Sequence, residues 1–95
     1  MNVHDIEDVR RHYAHIIGLI RDGKTGGETK VLIEAYLNAS YQFQRERYET
    51  AEQYGREASG TRNNYDSERY RKRQMEAISE RDESIRLTSE ISRYR

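Results

Sequence analysis

The sequence predicts an all-α protein: an N-terminal antiparallel helical hairpin plus a long C-terminal helix, oligomeric in solution. Residues 1–95 form a single helical domain, with the core hairpin at about 5–55 and the C-terminal helix at about 63–94. Three observations carry this expectation. Proline is absent, so nothing forbids a long helix. Arg and Glu are plentiful and, with the Ala and Gln present, favour helix. Apolar residues recur at helical spacing on both sides of a glycine-rich loop.

The first helix is read at about 5–21. Ile6, Val9, Tyr13, Ile16 and Ile20 fall on one face, and Ile17 and Leu19 widen it. Asp5 suits the N-cap with Asp8 three residues on, while Glu7 and Asp8 suit the positive end of the helix. Gly23 is a natural stop. Residues 22–28 carry three glycines and read as a loop, with Thr25 and Glu28 in capping-box spacing for the next helix. So short a connection makes its flanking helices antiparallel neighbours.

The second helix is read from about 27 to 55 or slightly beyond. Leu32, Tyr36, Ala39 and Phe43 are spaced 4, 3, 4, flanked by Ile33, Leu37, Tyr41, Tyr48 and Ala51. The stripe narrows to Tyr and Ala after Phe43. Gly55 and Gly60 bracket a weak spot, and Arg62-Asn63-Asn64 reads as a break. From Tyr65 to about Arg93 there is no breaker, which gives a helix on the order of 40 Å long. Its apolar positions (Tyr70, Met75, Ile78, Ile85, Leu87, Ile91, Tyr94) form a thin stripe with Asp82 in the seam.

Twelve of the 16 Ile, Leu, Val and Phe residues lie in positions 1–43. The first half is therefore expected to bury a core with itself, and the second half to need a partner, in this chain or another. A small helical domain with so little core favours a homodimer or higher oligomer over a monomer.

Seventeen basic and 17 acidic residues cancel, which argues against an acidic DNA mimic and a basic nucleic-acid binder. There is no cysteine, hence no disulfide framework, thiol nucleophile or cysteine metal site. No run approaches a membrane span and no signal peptide is read, so a soluble cytoplasmic protein without a membrane partner is expected.

Gly18 to Thr25 matches G-x-x-x-x-G-K-[ST] letter for letter. That pattern needs a strand before it, whereas Gly18 lies in a helix-period stretch, so nucleotide hydrolysis is not inferred. The loop still has anion-binding character. Unpaired N–H groups and a positive dipole end mark the start of the second helix. Gly26 and Gly27 permit close approach, and Lys24 and Lys30 flank them in a chain with three lysines against 14 arginines. A solvated turn explains the same residues. Eight tyrosines offer semi-buried packing or flat stacking surfaces, Tyr13 among them. His12 and His15, three residues apart with His4 earlier, are too few for a metal site. Arg62, Arg69, Arg71, Lys72 and Arg73 outnumber Asp66 and Glu68, forming either a solvated face or a contact for a phosphate or an acidic partner. No catalytic constellation is present, and neither an enzyme nor a cofactor is expected. Asn38-Ala39-Ser40 is a glycosylation sequon by letters only, lying mid-helix.

The stretch from His12 to Glu49 resembles the helical-hairpin domain of phage anti-CBASS and anti-Thoeris sponge proteins. The residues carrying the likeness are Tyr13-Ala14-His15-Ile16-Ile17-Gly18-Leu19-Ile20, a short polar loop, and Leu32-Ile33-Glu34-Ala35-Tyr36-Leu37-Asn38-Ala39. The resemblance covers about two-fifths of the chain. It implies a small all-α oligomer that sequesters cyclic oligonucleotides between subunits without cleaving them. Tyr13 would stack on a base, Lys24, Thr25, Gly26 and Gly27 would hold phosphate, and Lys30 or a neighbour's arginine from 62–73 would complete the site. The loop is shorter and richer in glycine than the family pattern and lacks its proline. The alternative expectation is a protein–protein inhibitor or adaptor, such as an anti-CRISPR or other phage modulator of a host enzyme, acting on a host protein through its helical surface. A structural coiled-coil element is a third. Sequence-specific nucleic-acid binding is not expected.

Overall fold

A computed structural model describes residues 1–95. It has three helices and no strand: α1 (Ile6–Arg21), α2 (Gly27–Gly60) and α3 (Asn64–Ser92). The all-α class and the order of elements are as expected. No helix is long and apolar enough to cross a membrane.

Local chemistry accounts for the helix ends. The Asp5 carboxylate accepts from the Asp8 N–H at 2.9 Å and caps α1. At the other end Gly23 takes φ +77°, a left-handed conformation. Its N–H donates to the Ile20 carbonyl at 3.0 Å, and the Lys24 N–H donates to Leu19 at 2.9 Å. That pair of bonds is a Schellman stop, with Gly23 just past the cap residue Asp22. The start of α2 differs from expectation: its N-cap is Gly26, no side chain caps it, and the Thr25–Glu28 capping box does not form. Thr25 stands one residue outside the position from which its hydroxyl could reach the first turn. The helix also runs past Gly55 to Gly60, because a single glycine weakens a helix without ending it. The Asn63 side chain accepts from the N–H groups of Tyr65 and Asp66 and starts α3 at the expected break.

The longest packing seam joins α2 to α3, antiparallel. Gln44 Nε2 donates to Ser84 Oγ and Thr88 Oγ1 at 3.1 and 3.2 Å, and Arg47 pairs with Glu80 at 3.5 Å. Nearer the turn Tyr54 stacks on Tyr70, and Ser67 donates to the Ala58 carbonyl at 3.2 Å. The seam residues recur every seven positions: Leu37, Gln44, Ala51 and Ala58 on α2, and Tyr70, Ala77, Ser84 and Ile91 on α3. This is the period of an antiparallel coiled coil.

α1 lies in the groove between α2 and α3 at the base of this hairpin. It runs antiparallel to α2 and parallel to α3, with Arg10 bonded to Glu83 and Tyr13 to Glu90. The core joins Val9 and Ile16 to Ile33, Tyr36, Leu37 and Phe43, and also to Leu87 and Ile91 of α3. The expectation that residues 5–55 hold the core among themselves is thus corrected. Leu87 and Ile91 of the thin α3 stripe close it, whereas Met75, Ile85 and Tyr94 of the same stripe stay exposed. Beyond α1 the hairpin continues as a two-helix arm. The molecule measures 56 × 19 × 17 Å with a radius of gyration of 16.5 Å, against about 12–13 Å for a compact chain of this length.

Candidate functional site

The glycine-rich loop shapes a cleft of about 460 Å³ lined by His15 and Leu19 of α1, Lys24, Gly26 and Gly27, and Glu28, Thr29 and Leu32 of α2. Amide groups of the first turn of α2 have no side-chain cap here. Lys24 is exposed, and Glu28 places a carboxylate at the same opening. Thr25 and Lys30 are exposed and stand outside the lining. Gly18 of the phosphate-loop pattern lies inside α1, with no strand before it.

Tyr13 is elsewhere. Residues 13, 17 and 20 point to one side of α1, and 15 and 19 to another. Tyr13 lines a second cleft of about 260 Å³ with Ile17, Ile20, Arg21, Glu90, Arg93 and Tyr94. Its hydroxyl donates to Glu90, and that bond, with some burial, holds the phenol above its ordinary pKa. Neither Arg21 nor Arg93 has a carboxylate partner. The six residues expected to act together therefore divide: Lys24, Gly26 and Gly27 share one cleft, Tyr13 faces another, and Thr25 and Lys30 join neither. No three His, Asp or Glu side chains come close enough to hold a metal.

A third feature, not anticipated as a site, is the continuation of the α1 groove along the arm. Arg69, Glu76, Glu83 and Glu90 share one line of α3, seven residues apart. Glu83 and Glu90 hold α1, whereas Arg69 and Glu76 lie beyond its N-terminus. The groove there is lined by Arg47, Thr50, Tyr54, Arg73, Glu76 and Glu80 over a floor at Ala77. Arg73 lies over the Tyr54 ring, 5.9 Å from its centroid. Toward the turn, Tyr65, Arg69 and Lys72 line a shallower hollow with Glu68, and Tyr65 is 73 % exposed. The cationic run at 62–73 was legible in the sequence. That part of it borders an empty groove follows from where α1 begins. No protein-family model, curated protein or solved structure matches this chain.

Proposed function

We propose that the protein is a helical protein-interaction module of the inhibitor or adaptor class, which takes an acidic helix of its partner into the groove beyond α1. The carrying observation is that the groove occupied by α1 at the base runs on unoccupied along the arm. Helix-in-groove recognition uses such a surface. Tyr and Arg, the side chains most often dominant in interfaces, line it. Glu80 is already paired with Arg47, and among the remaining charges Arg69, Lys72 and Arg73 outnumber Glu68 and Glu76, which leaves a net positive sign facing a partner.

The test is capture of a partner from host lysate by the full chain, compared with an Arg69→Glu/Arg73→Glu variant. Capture should be lost while the helical circular-dichroism spectrum is unchanged, and a Tyr13→Ala/Lys24→Ala variant should capture as wild type does. Undiminished capture by the charge-reversed variant would sink the reading.

The Tyr13 cleft favours a second reading, sequestration of a cyclic oligonucleotide. Two tyrosine rings and two unpaired guanidinium groups converge there, so the base would stack on Tyr13 and phosphate would meet Arg21 and Arg93 in place of Lys24. Calorimetry against cyclic di- and trinucleotides tests it; binding abolished by Tyr13→Ala supports it, and no heat with any of them removes it.

A further inference from the structure

The α2–α3 hairpin has two grooves. α1 enters one at the base, and the opposite groove carries no covering element along its whole length. On the α2 side it is bordered by Glu34, Tyr41, Tyr48 and Gly55, seven residues apart. On the α3 side it is bordered by Gln74 and Arg81, with Ile85 one turn beyond Arg81. Two contacts fix the register. Arg81 lies over the Tyr48 ring, 5.5 Å from its centroid. The side chain of Gln74 packs against Gly55, where an added Cβ would stand 2.6 Å from its Nε2. Tyr41 and Tyr48 are each 48 % exposed and Ile85 42 %. Three of the eight exposed large hydrophobic side chains thus share a face that nothing in the chain covers.

We infer that this face is the two-fold interface of a homodimer, in which two hairpins pack as a four-helix bundle with α1 on the outside of each. Position argues for a second copy over an unrelated partner. The Tyr41–Tyr48 pair lies at the middle of α2, Gly27–Gly60. A two-fold axis through that point lays the patch on itself, so Tyr41 of one protomer meets Tyr48 of the partner subunit. Because the patch is central, the same axis also overlaps the two hairpins along their full length, whereas an off-centre patch would leave their ends overhanging. Size agrees. The molecule's extents of 56 and 19 Å bound the face at about 1,000 Å², which leaves room for the about 800 Å² per partner of a standard interface. The chain carries no net charge, so two copies do not repel as bodies. Arg81 is held over Tyr48 and bonded to Asp82, which orders that side chain before association. This inference is independent of the groove beyond α1, which stays open in the dimer.

Sedimentation equilibrium on the full chain tests it. The expected mass is twice 11.3 kDa, falling to the monomer value in Ile85→Arg and in Tyr48→Glu with helical content retained. The chain has no cysteine, so a mixture of Tyr41→Cys and Tyr48→Cys proteins gives a second readout. Oxidation should cross-link the two variants to each other in preference to either with itself. An Arg69→Glu/Arg73→Glu variant should remain dimeric, which separates this result from the partner-binding test. A monomeric wild type, an Ile85→Arg dimer or an open-ended assembly would overturn the inference.

Discussion

Arg10 of α1 grips Glu83 of α3 with two parallel hydrogen bonds, Nε to Oε2 at 2.6 Å and Nη2 to Oε1 at 2.7 Å. With the Tyr13–Glu90 bond it fixes α1 in the groove, and it lies at the boundary between the three-helix base and the two-helix arm.

The Arg10 hydrogen bond holds the Glu83 carboxyl below its ordinary pKa. A lowered folded value means that the stabilisation is present above the unfolded value of about 4.3 and is lost as pH falls through the folded one. The pair is partly exposed, so its effect is modest. Glu83→Gln should lower the melting temperature by a few degrees at pH 7 and converge with wild type in acid, as thermal melts across pH 3–7 will show.

Tyr36 is fully buried, and its hydroxyl and that of Ser40 one turn away are neighbours that form no well-directed hydrogen bond. Burial pushes its pKa up to about 12. Removing an unpaired buried hydroxyl relieves a desolvation cost of about 1–3 kcal/mol. Tyr36→Phe should therefore be as stable as wild type or more so in urea. A raised folded pKa also means that stability is complete below about pH 10 and declines as pH rises toward 12. The variant should lose less stability over that range.

Gly18 and Gly23 should respond oppositely to alanine. Gly18 is inside α1 with open space where a Cβ would stand, so Gly18→Ala should stabilise by about 0.5–1 kcal/mol. Gly23 is held at φ +77°, so Gly23→Ala should destabilise by about 1–2 kcal/mol. Denaturant midpoints of the two variants check the pair.

The seam changes character along its length. Near the base it holds Ile33, Leu37, Leu87 and Ile91; along the arm it holds Ala51, Ala58 and Ala77, which bury far less surface. Hydrogen exchange should show amides of 50–58 and 66–77 exchanging before those of 33–43 and 84–91. Uniform protection along both helices would contradict this.

Much of the local structure was legible. Asp5, Gly23 and the Arg62–Asn64 break mark three of the helix ends, because caps and stops are made within a few residues of one chain segment. The Thr25–Glu28 pattern misled, since the same letters one residue out of register form no cap. The α2–α3 seam was not legible as a stripe of Ile, Leu and Val. Apart from Leu37, Tyr70 and Ile91, its repeating positions are filled by Ala, Ser and Gln, which pack because they are small or because they hydrogen-bond across the seam. That Tyr13 and the loop line separate clefts was illegible for a related reason. Tyr13 and Lys24 are close in sequence, but the helix between them turns their side chains to different clefts.

Three helices, their order and the stop at Gly23 follow from the sequence alone, because backbone hydrogen bonding and capping are local. Which helices share the long seam, how far α1 reaches along it, and which grooves are left uncovered were decided by tertiary structure. Those outcomes depend on contacts between distant residues, such as Gln44 with Ser84, 40 positions apart, and Tyr13 with Glu90, 77 apart, and no local pattern encodes which distant face a small or polar side chain will meet.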